Sequence, residues 1–269
     1  MSFLTHEKNE LVWLTSSMLE GVRHGFSTRK GGVSEGHLAS LNLRGAEPSG
    51  DSVENTLENS RRFCGAVGVE TERIVLSKQV HETTVRLCTA ADAGKGLFSA
   101  RDYTADALIT NEPDLPLVVF SADCGIILLY DPVHRAAGAI HAGWRGCAAG
   151  IVEKTVRAMQ EAFSTDPAQL LAAIGPCIGP CCFETDADVP DAMLAGLGAE
   201  AEAYLERRGA KWHVDLAGLN RAWLLRAGLN ASHIDASGIC SACRSDLYWS
   251  HRKMGDKRGA QVAMIALNP

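Results

Sequence analysis

Between Ile74 and Ile140 the chain carries five short apolar runs with no helical stretch to separate them, at residues 74–76, 107–109, 117–120, 126–130 and 136–140. Neighbouring strands of a parallel, doubly wound sheet need a crossover of a dozen or more residues, usually a helix. Crowded strands of this kind therefore argue for mixed sheets. Two further apolar runs, at 171–174 and 262–267, also read as strands. Helical periodicity is confined to residues 52–67, 148–163, 191–207 and 215–227. In the second of these, Ile151, Val152, Thr155, Val156 and Met159 recur at a three-to-four spacing, and Ser164-Thr165-Asp166-Pro167 reads as a turn and a fresh N-cap. The order is strands, then helices, then strands, which predicts the α+β class. No stretch rich in Pro, Gly or Ser interrupts it, so the expectation is one domain over residues 1–269, with 186–208 as the best candidate for a helical excursion.

A chain of 269 residues can bury most of its unfolded surface without disulfides. Its nine cysteines are an odd count and too sparse for a secreted disulfide scaffold. The N-terminus, Met1 to Lys8, lacks the basic start and continuous apolar stretch of a signal peptide, and no apolar run approaches a membrane span. The expectation is a cytoplasmic protein with no membrane partner. The charge count, 26 basic against 32 acidic residues for a net −6, argues against a nucleic-acid partner. The sequence leaves the oligomeric state open, with a monomer slightly favoured.

Three polar residues sit beyond the ends of apolar runs. His81 follows the 74–76 run, Cys124 follows 117–120 through Ser121-Ala122-Asp123, and His141 ends the run at 136–140. A strand end is rigid and faces an opening, which suits a functional site. Thiolate and imidazole are donors that zinc prefers, and three protein ligands leave a fourth position free, the pattern of a catalytic zinc. The spacings of 43 and 17 residues do not by themselves distinguish this from two packed histidines and a buried thiol.

Several blocks occur in a fixed order: residues 24–34 (HGFSTRKGGVS), 40–43 (SLNL), 79–81 (QVH), 121–124 (SADC), 141–146 (HAGWRG), 175–184 (GPCIGPCCFE) and 250–252 (SHR). Together they resemble the laccase-domain family, long named multicopper polyphenol oxidases and now regarded as zinc-dependent purine nucleoside phosphorylases, many with adenosine deaminase activity. Some bacterial members are called peptidoglycan editing factor. The resemblance implies a single-domain sandwich of mixed β-sheets with flanking helices. It implies a Zn2+ cofactor on His81, Cys124 and His141, with copper the lesser alternative, and purine nucleosides and phosphate as substrates. Glu82, Cys147 and residues 254–259 depart from the family's pattern.

Asp123, beside Cys124, is a candidate catalytic residue that orients a histidine, acts as a base, or simply caps the turn. Arg29, Asn42, Arg145 and Arg252 lie in the matching blocks and are candidate substrate contacts; Arg145, four residues after a proposed ligand, is the strongest of them as a phosphate or nucleoside contact. The pair Cys240/Cys243 with Cys177, Cys181 and Cys182 could make a second zinc site, but the spacing is not that of a zinc finger, and buried thiols are the expectation. Nine histidines without a single His-x-His pair cannot build a multicopper cluster. Three alternatives stay open: a mononuclear copper redox protein, since His2Cys is also a blue-copper donor set; a peptidoglycan-precursor hydrolase; and a metal-free enzyme with Cys124 as nucleophile and His141 as base.

Overall fold

The computed structural model describes residues 3–269; Met1 and Ser2, the start of the N-terminal segment read above, lie outside the described residues. Two six-stranded mixed sheets lie face to face. The first runs in the order Phe3–Lys8, Leu11–Ser16, Arg23–Ser27, Gln261–Ala266, Leu117–Ser121, Val75–Leu76. The second runs Ile234–Ala236, Leu171–Ile174, Gly125–Asp131, Ala136–Ala142, Ala107–Thr110, Val85–Leu87. The period-two alternation of strands assigns each face. Leu117, Val119, Ala263 and Ile265 of the first sheet meet Ile126, Leu128, Ala137 and Ala139 of the second. The opposite face of the first sheet, with Val118, Val262 and Met264, packs on Phe63 and Val67 of helix Val53–Val67. The opposite face of the second, with Ile127, Leu129 and Ile140, packs on helices Ile151–Phe163, Asp188–Leu197 and Leu216–Arg226. Four layers result, helix–sheet–sheet–helix, and both sheets are covered on both faces.

This architecture is the expected α+β sandwich of mixed sheets. Local chemistry sets the helix starts: Ser52 caps Val53–Val67 by accepting from the Asn55 N–H, and Asp215 caps Leu216–Arg226 by accepting from the Gly218 N–H. Two expectations fail. The helix expected over 148–163 starts only at Ile151, because Gly150 at φ 74 separates it from a short preceding helix, Trp144–Ala148. The expected helix over 191–207 ends at Leu197. A 3-10 segment follows to Tyr204, then strand Leu205–Arg208 joins a third sheet with Lys211–Val214 and Glu184–Thr185. No helix among the described residues is long and apolar enough to cross a membrane.

Candidate metal centre and its cleft

The chain crosses from the first sheet to the second between Ser121 and Gly125, and Cys124 lies on that crossing. Asp123 adopts φ 88, and Ser121 Oγ donates to the Cys124 carbonyl at 2.7 Å, so the turn is tight and tied. His141 lies on strand Ala136–Ala142 opposite Ile126, one strand away from the same turn. His81 comes from the loop after Val75–Leu76. Gln79 anchors that loop, because its side-chain amide donates to the Phe120 carbonyl and accepts from the Phe120 N–H, at 2.9 and 2.7 Å. The loop thereby docks on strand Leu117–Ser121, and His81 at φ 62 turns back toward Cys124.

The three donor atoms converge. His81 Nε2 is 3.9 Å from Cys124 Sγ, the two imidazoles meet edge to face at 4.9 Å, and the three ligand atoms all lie within 4.8 Å of one another. Zinc bonds of ~2.3 Å to sulfur and ~2.0–2.1 Å to nitrogen, at tetrahedral angles, put sulfur and nitrogen about 3.5 Å apart. The donor set fits a metal with little movement. His141 forms the floor at 3% exposure, and His81 stands at the mouth.

One carboxylate that the sequence reading did not single out organises two of the three ligands. Asp106 Oδ1 accepts from the His81 N–H at 3.0 Å and from His141 Nδ1 at 2.8 Å. Its Oδ2 accepts from the N–H groups of Val80 and Glu82 at 3.1 and 3.0 Å. Holding the proton on Nδ1 leaves His141 Nε2 as the free donor, the usual carboxylate–histidine support of a metal ligand. The signal for Asp106 was a lone carboxylate entering the apolar run Ala105-Asp106-Ala107-Leu108.

With no metal bound the same contacts favour an ion pair between Cys124 and His141, and a metal would take the place of the proton on His141 Nε2. Burial by itself would raise the Cys124 thiol, but the charge of His141 and contacts with both imidazoles outweigh it and bring the thiol down to about 6. Burial likewise disfavours charged His141, yet the Cys124 thiolate and Asp106 raise it to about 9. Burial pushes the Asp106 carboxyl up, while its bonds from His141 and the backbone donors hold it below the usual range. Near neutral pH Cys124 is therefore already a thiolate.

Gly143 closes the back of the site. A Cβ there would stand 2.8 Å from His81 Cδ2 and 3.1 Å from Cys124 Sγ. Gly143→Ala is expected to push the ligands apart, lowering metal occupancy and costing about 1–3 kcal/mol through overpacking. Metal analysis and thermal unfolding read the two effects, and wild-type occupancy would show that the ligands have slack.

The ligands open into a cleft of about 350 Å³, whose rim carries Arg44, Lys78, Arg101 and Arg258. Among the described residues, none of these four has a carboxylate partner within ion-pair distance. Burial, together with repulsion from Arg44, lowers the Arg258 guanidinium from its ordinary value. Arg44, Arg101 and Phe120 also border a neighbouring apolar chamber of about 290 Å³.

The arginines and the asparagine singled out from the sequence do not line this cleft. Arg29 stacks on Trp249 at 4.1 Å and donates to the carbonyls of Ala39 and Ser245. Asn42 is fully buried, donating to Asp51 and Ser49 and accepting from the Arg44 N–H. Arg145 is exposed and lies over Trp144 at 4.2 Å. Arg252 donates to the carbonyls of Cys182 and Glu184. The Asp123 carboxylate accepts from Ser241 Oγ, Ser250 Oγ and the Arg252 N–H, at 2.6, 3.0 and 2.7 Å. It clamps loops together, and Asp106 holds the histidine. Of the departures noted above, Cys147 is buried and Glu82 exposed, while residues 254–259 bring Arg258 to the rim.

The fold and site together define a four-layer sandwich with one open thiolate–imidazole ligand set beside a cationic cleft. A family model for the multi-copper polyphenol oxidoreductase laccases matches residues 23–268, and the chain belongs to that family. A purine nucleoside phosphorylase of Bacteroides thetaiotaomicron is 32% identical over 271 residues, covering 100% of both chains. The purine nucleoside phosphorylase YlmD of Geobacillus stearothermophilus is 35% identical over 248 residues, covering 91% of this chain and 90% of that one. Among solved structures, YlmD from Geobacillus stearothermophilus has a TM-score of 0.90 at 32% identity, covering 98% of each chain. The hypothetical protein YfiH of Bacillus licheniformis has a TM-score of 0.90 at 29% identity, covering 98% of this chain and 99% of that one.

Proposed function

We propose that this chain is a zinc-dependent enzyme of purine nucleosides, phosphorolysing adenosine- or inosine-type substrates and deaminating adenosine. The observation that carries the reading is the cleft itself, in which a three-donor ligand set faces four cations that have no carboxylate partner among the described residues. Such cations suit a multiply charged oxyanion, and the names of the relatives point to phosphate as that anion. His81, Cys124 and His141 would hold the metal, which when bound supplies Lewis acidity and lowers the pKa of water. Asp106 keeps the His141 tautomer and the His81 loop in place. Arg44, Lys78, Arg101 and Arg258 bind phosphate and spread its charge while one of its oxygens attacks ribose C1′ and the glycosidic C–N bond breaks. The apolar chamber beside Phe120 takes the purine. Deamination uses the same site with water as nucleophile and ammonia as leaving group.

Arg258→Met keeps much of the stem's volume and removes the charge. A charge-assisted contact is worth ~1.5–3 kcal/mol, so phosphorolysis should fall at least about tenfold. The loss should appear chiefly as a raised KM for phosphate, with zinc content unchanged and deamination less affected. An unchanged KM would remove Arg258 from the phosphate site and leave Arg44, Lys78 and Arg101 as its cations.

The thiolate–imidazolium pair of Cys124 and His141 favours one rival, metal-free nucleophilic catalysis. Product analysis on adenosine, with and without phosphate, tests the activity, and chelation separates the mechanisms. On the zinc reading a chelator abolishes both reactions and zinc restores them. Activity that survives chelation but is lost to thiol alkylation would establish the rival. For copper, no methionine lines the cleft among the described residues to supply the axial thioether of a blue-copper site.

A further inference from the structure

Four cysteines outside the cleft converge as closely as the three ligands within it. Cys181 and Cys182 lie in the turn after strand Leu171–Ile174, where the N–H groups of Cys182 and Phe183 both donate to the Gly179 carbonyl. Cys240 and Cys243 lie in a second turn, after strand Ile234–Ala236, closed by the Arg244 N–H on the Cys240 carbonyl. The two turns are held side by side, because the Ser241 N–H donates to the Cys177 carbonyl and the Cys177 N–H to that of Ile239. Cys243 Sγ then stands 3.4 Å from both Cys181 Sγ and Cys182 Sγ, and all four sulfurs lie within 4.8 Å of one another.

Burial explains Cys177 but not these four. Cys181 and Cys243 are exposed, and Cys182 and Cys240 are half-buried, contrary to the expectation of buried thiols. They are not disulfides, since all nine cysteines are free and a bridge needs ~2.05 Å between sulfurs. A tetrahedral tetrathiolate with zinc–sulfur bonds of ~2.3 Å needs about 3.8 Å between sulfurs, inside the range these four span. Cys240 Sγ also accepts from the N–H groups of Gly179 and Cys243, at 3.3 and 3.5 Å, as a ligating thiolate in a turn does.

We propose that Cys181, Cys182, Cys240 and Cys243 form a second, structural zinc site of the closed tetrathiolate kind, separate from the cleft. The site staples the two loops that grip the active-site turn. Ser241, between the two ligands of the second loop, donates to the Asp123 carboxylate. Arg252 joins the same carboxylate, through its N–H, to the carbonyl of Cys182. Asp123 adjoins Cys124, so the staple is a positioning element for the cleft ligand. The inference does not depend on the substrate reading above.

Metal analysis of the protein purified under reducing conditions should find about two zinc ions per chain. Cys124→Ala should retain about one, and the pair Cys181→Ser with Cys243→Ser should also retain about one, from the other site. Cobalt substitution gives a second readout: the tetrathiolate charge-transfer band should persist in Cys124→Ala and vanish in the serine pair. Should the serine pair fail to fold, alkylation of the wild-type chain decides, since these four thiols should resist the reagent until a chelator is added. Four freely reactive thiols, a disulfide between the loops, or iron in place of zinc would each overturn the assignment. So would identical metal content in the wild type and a folded serine pair.

Discussion

On the proposed zinc-dependent function, Cys124→Ala is expected to lower phosphorolysis and deamination by at least about a thousandfold and to empty the cleft of metal. Cys124 supplies the only negative charge among the three ligands. Its thiol, brought down to about 6, is deprotonated near neutral pH. Removing it leaves two neutral imidazoles around an open position, with no anionic donor to balance the charge of a metal. A bound metal contributes several kcal/mol of charge stabilisation, and ~1.4 kcal/mol is a factor of ten. Cys147→Ala is the matched control. That thiol is fully buried on helix Trp144–Ala148, and burial holds it protonated. Its loss should cost stability and leave the cleft metal in place. Metal analysis and product assays on both variants check this, and full metal content in Cys124→Ala would place the site elsewhere.

The central strands were readable because of what covers them. Residues 117–120, 126–130 and 136–140 are continuous apolar runs because each sheet is packed on both faces, so even the period-two signal disappears into uniform hydrophobicity. Strand Phe3–Lys8 is an edge, exposed along most of its length and rich in polar residues, and it escaped notice. Strand Leu205–Arg208 was read as the end of a helix, since three of its four residues are charged and exposed. Its place is set by pairing with Lys211–Val214, which no local pattern announces.

The three candidate ligands were readable because each terminates or follows a recognisable run, and the structure brings their donor atoms within 4.8 Å of one another. The cations were not. A guanidinium reaches several ångströms from its backbone, so neighbourhood in sequence says little about which opening it faces. Arg29 and Arg252 satisfy loop carbonyls, Arg145 lies on a tryptophan, and the cleft takes Arg44 and Arg258 from segments with weaker signals. The four-cysteine cluster was obscured differently. Cys182 and Cys240 are 58 positions apart, and only the pairing of two turns makes them neighbours.

Asp106→Asn should weaken the metal site although Asp106 does not line the cleft. The carboxylate accepts four hydrogen bonds, two at each oxygen, and every one comes from a donor. Asparagine offers one accepting edge and one donating edge. If its oxygen faces His81 and His141, its NH2 group meets the N–H groups of Val80 and Glu82, and the loop carrying His81 must move. If its oxygen faces the loop, the NH2 group meets His141 Nδ1. The proton of His141 must then shift to Nε2, which removes the lone pair a metal needs. The first orientation sets two N–H donors against the NH2 group and the second the His81 N–H, and each buried donor left unsatisfied costs about 1–3 kcal/mol. Loss of such a support weakens metal binding ~10–100-fold. The variant should therefore show a zinc dissociation constant raised by about that factor, a lower melting temperature, and partial recovery of rate in excess zinc. A purely structural role would lower the melting temperature alone. Wild-type zinc affinity in a folded Asp106→Asn protein would show that neither histidine depends on this carboxylate.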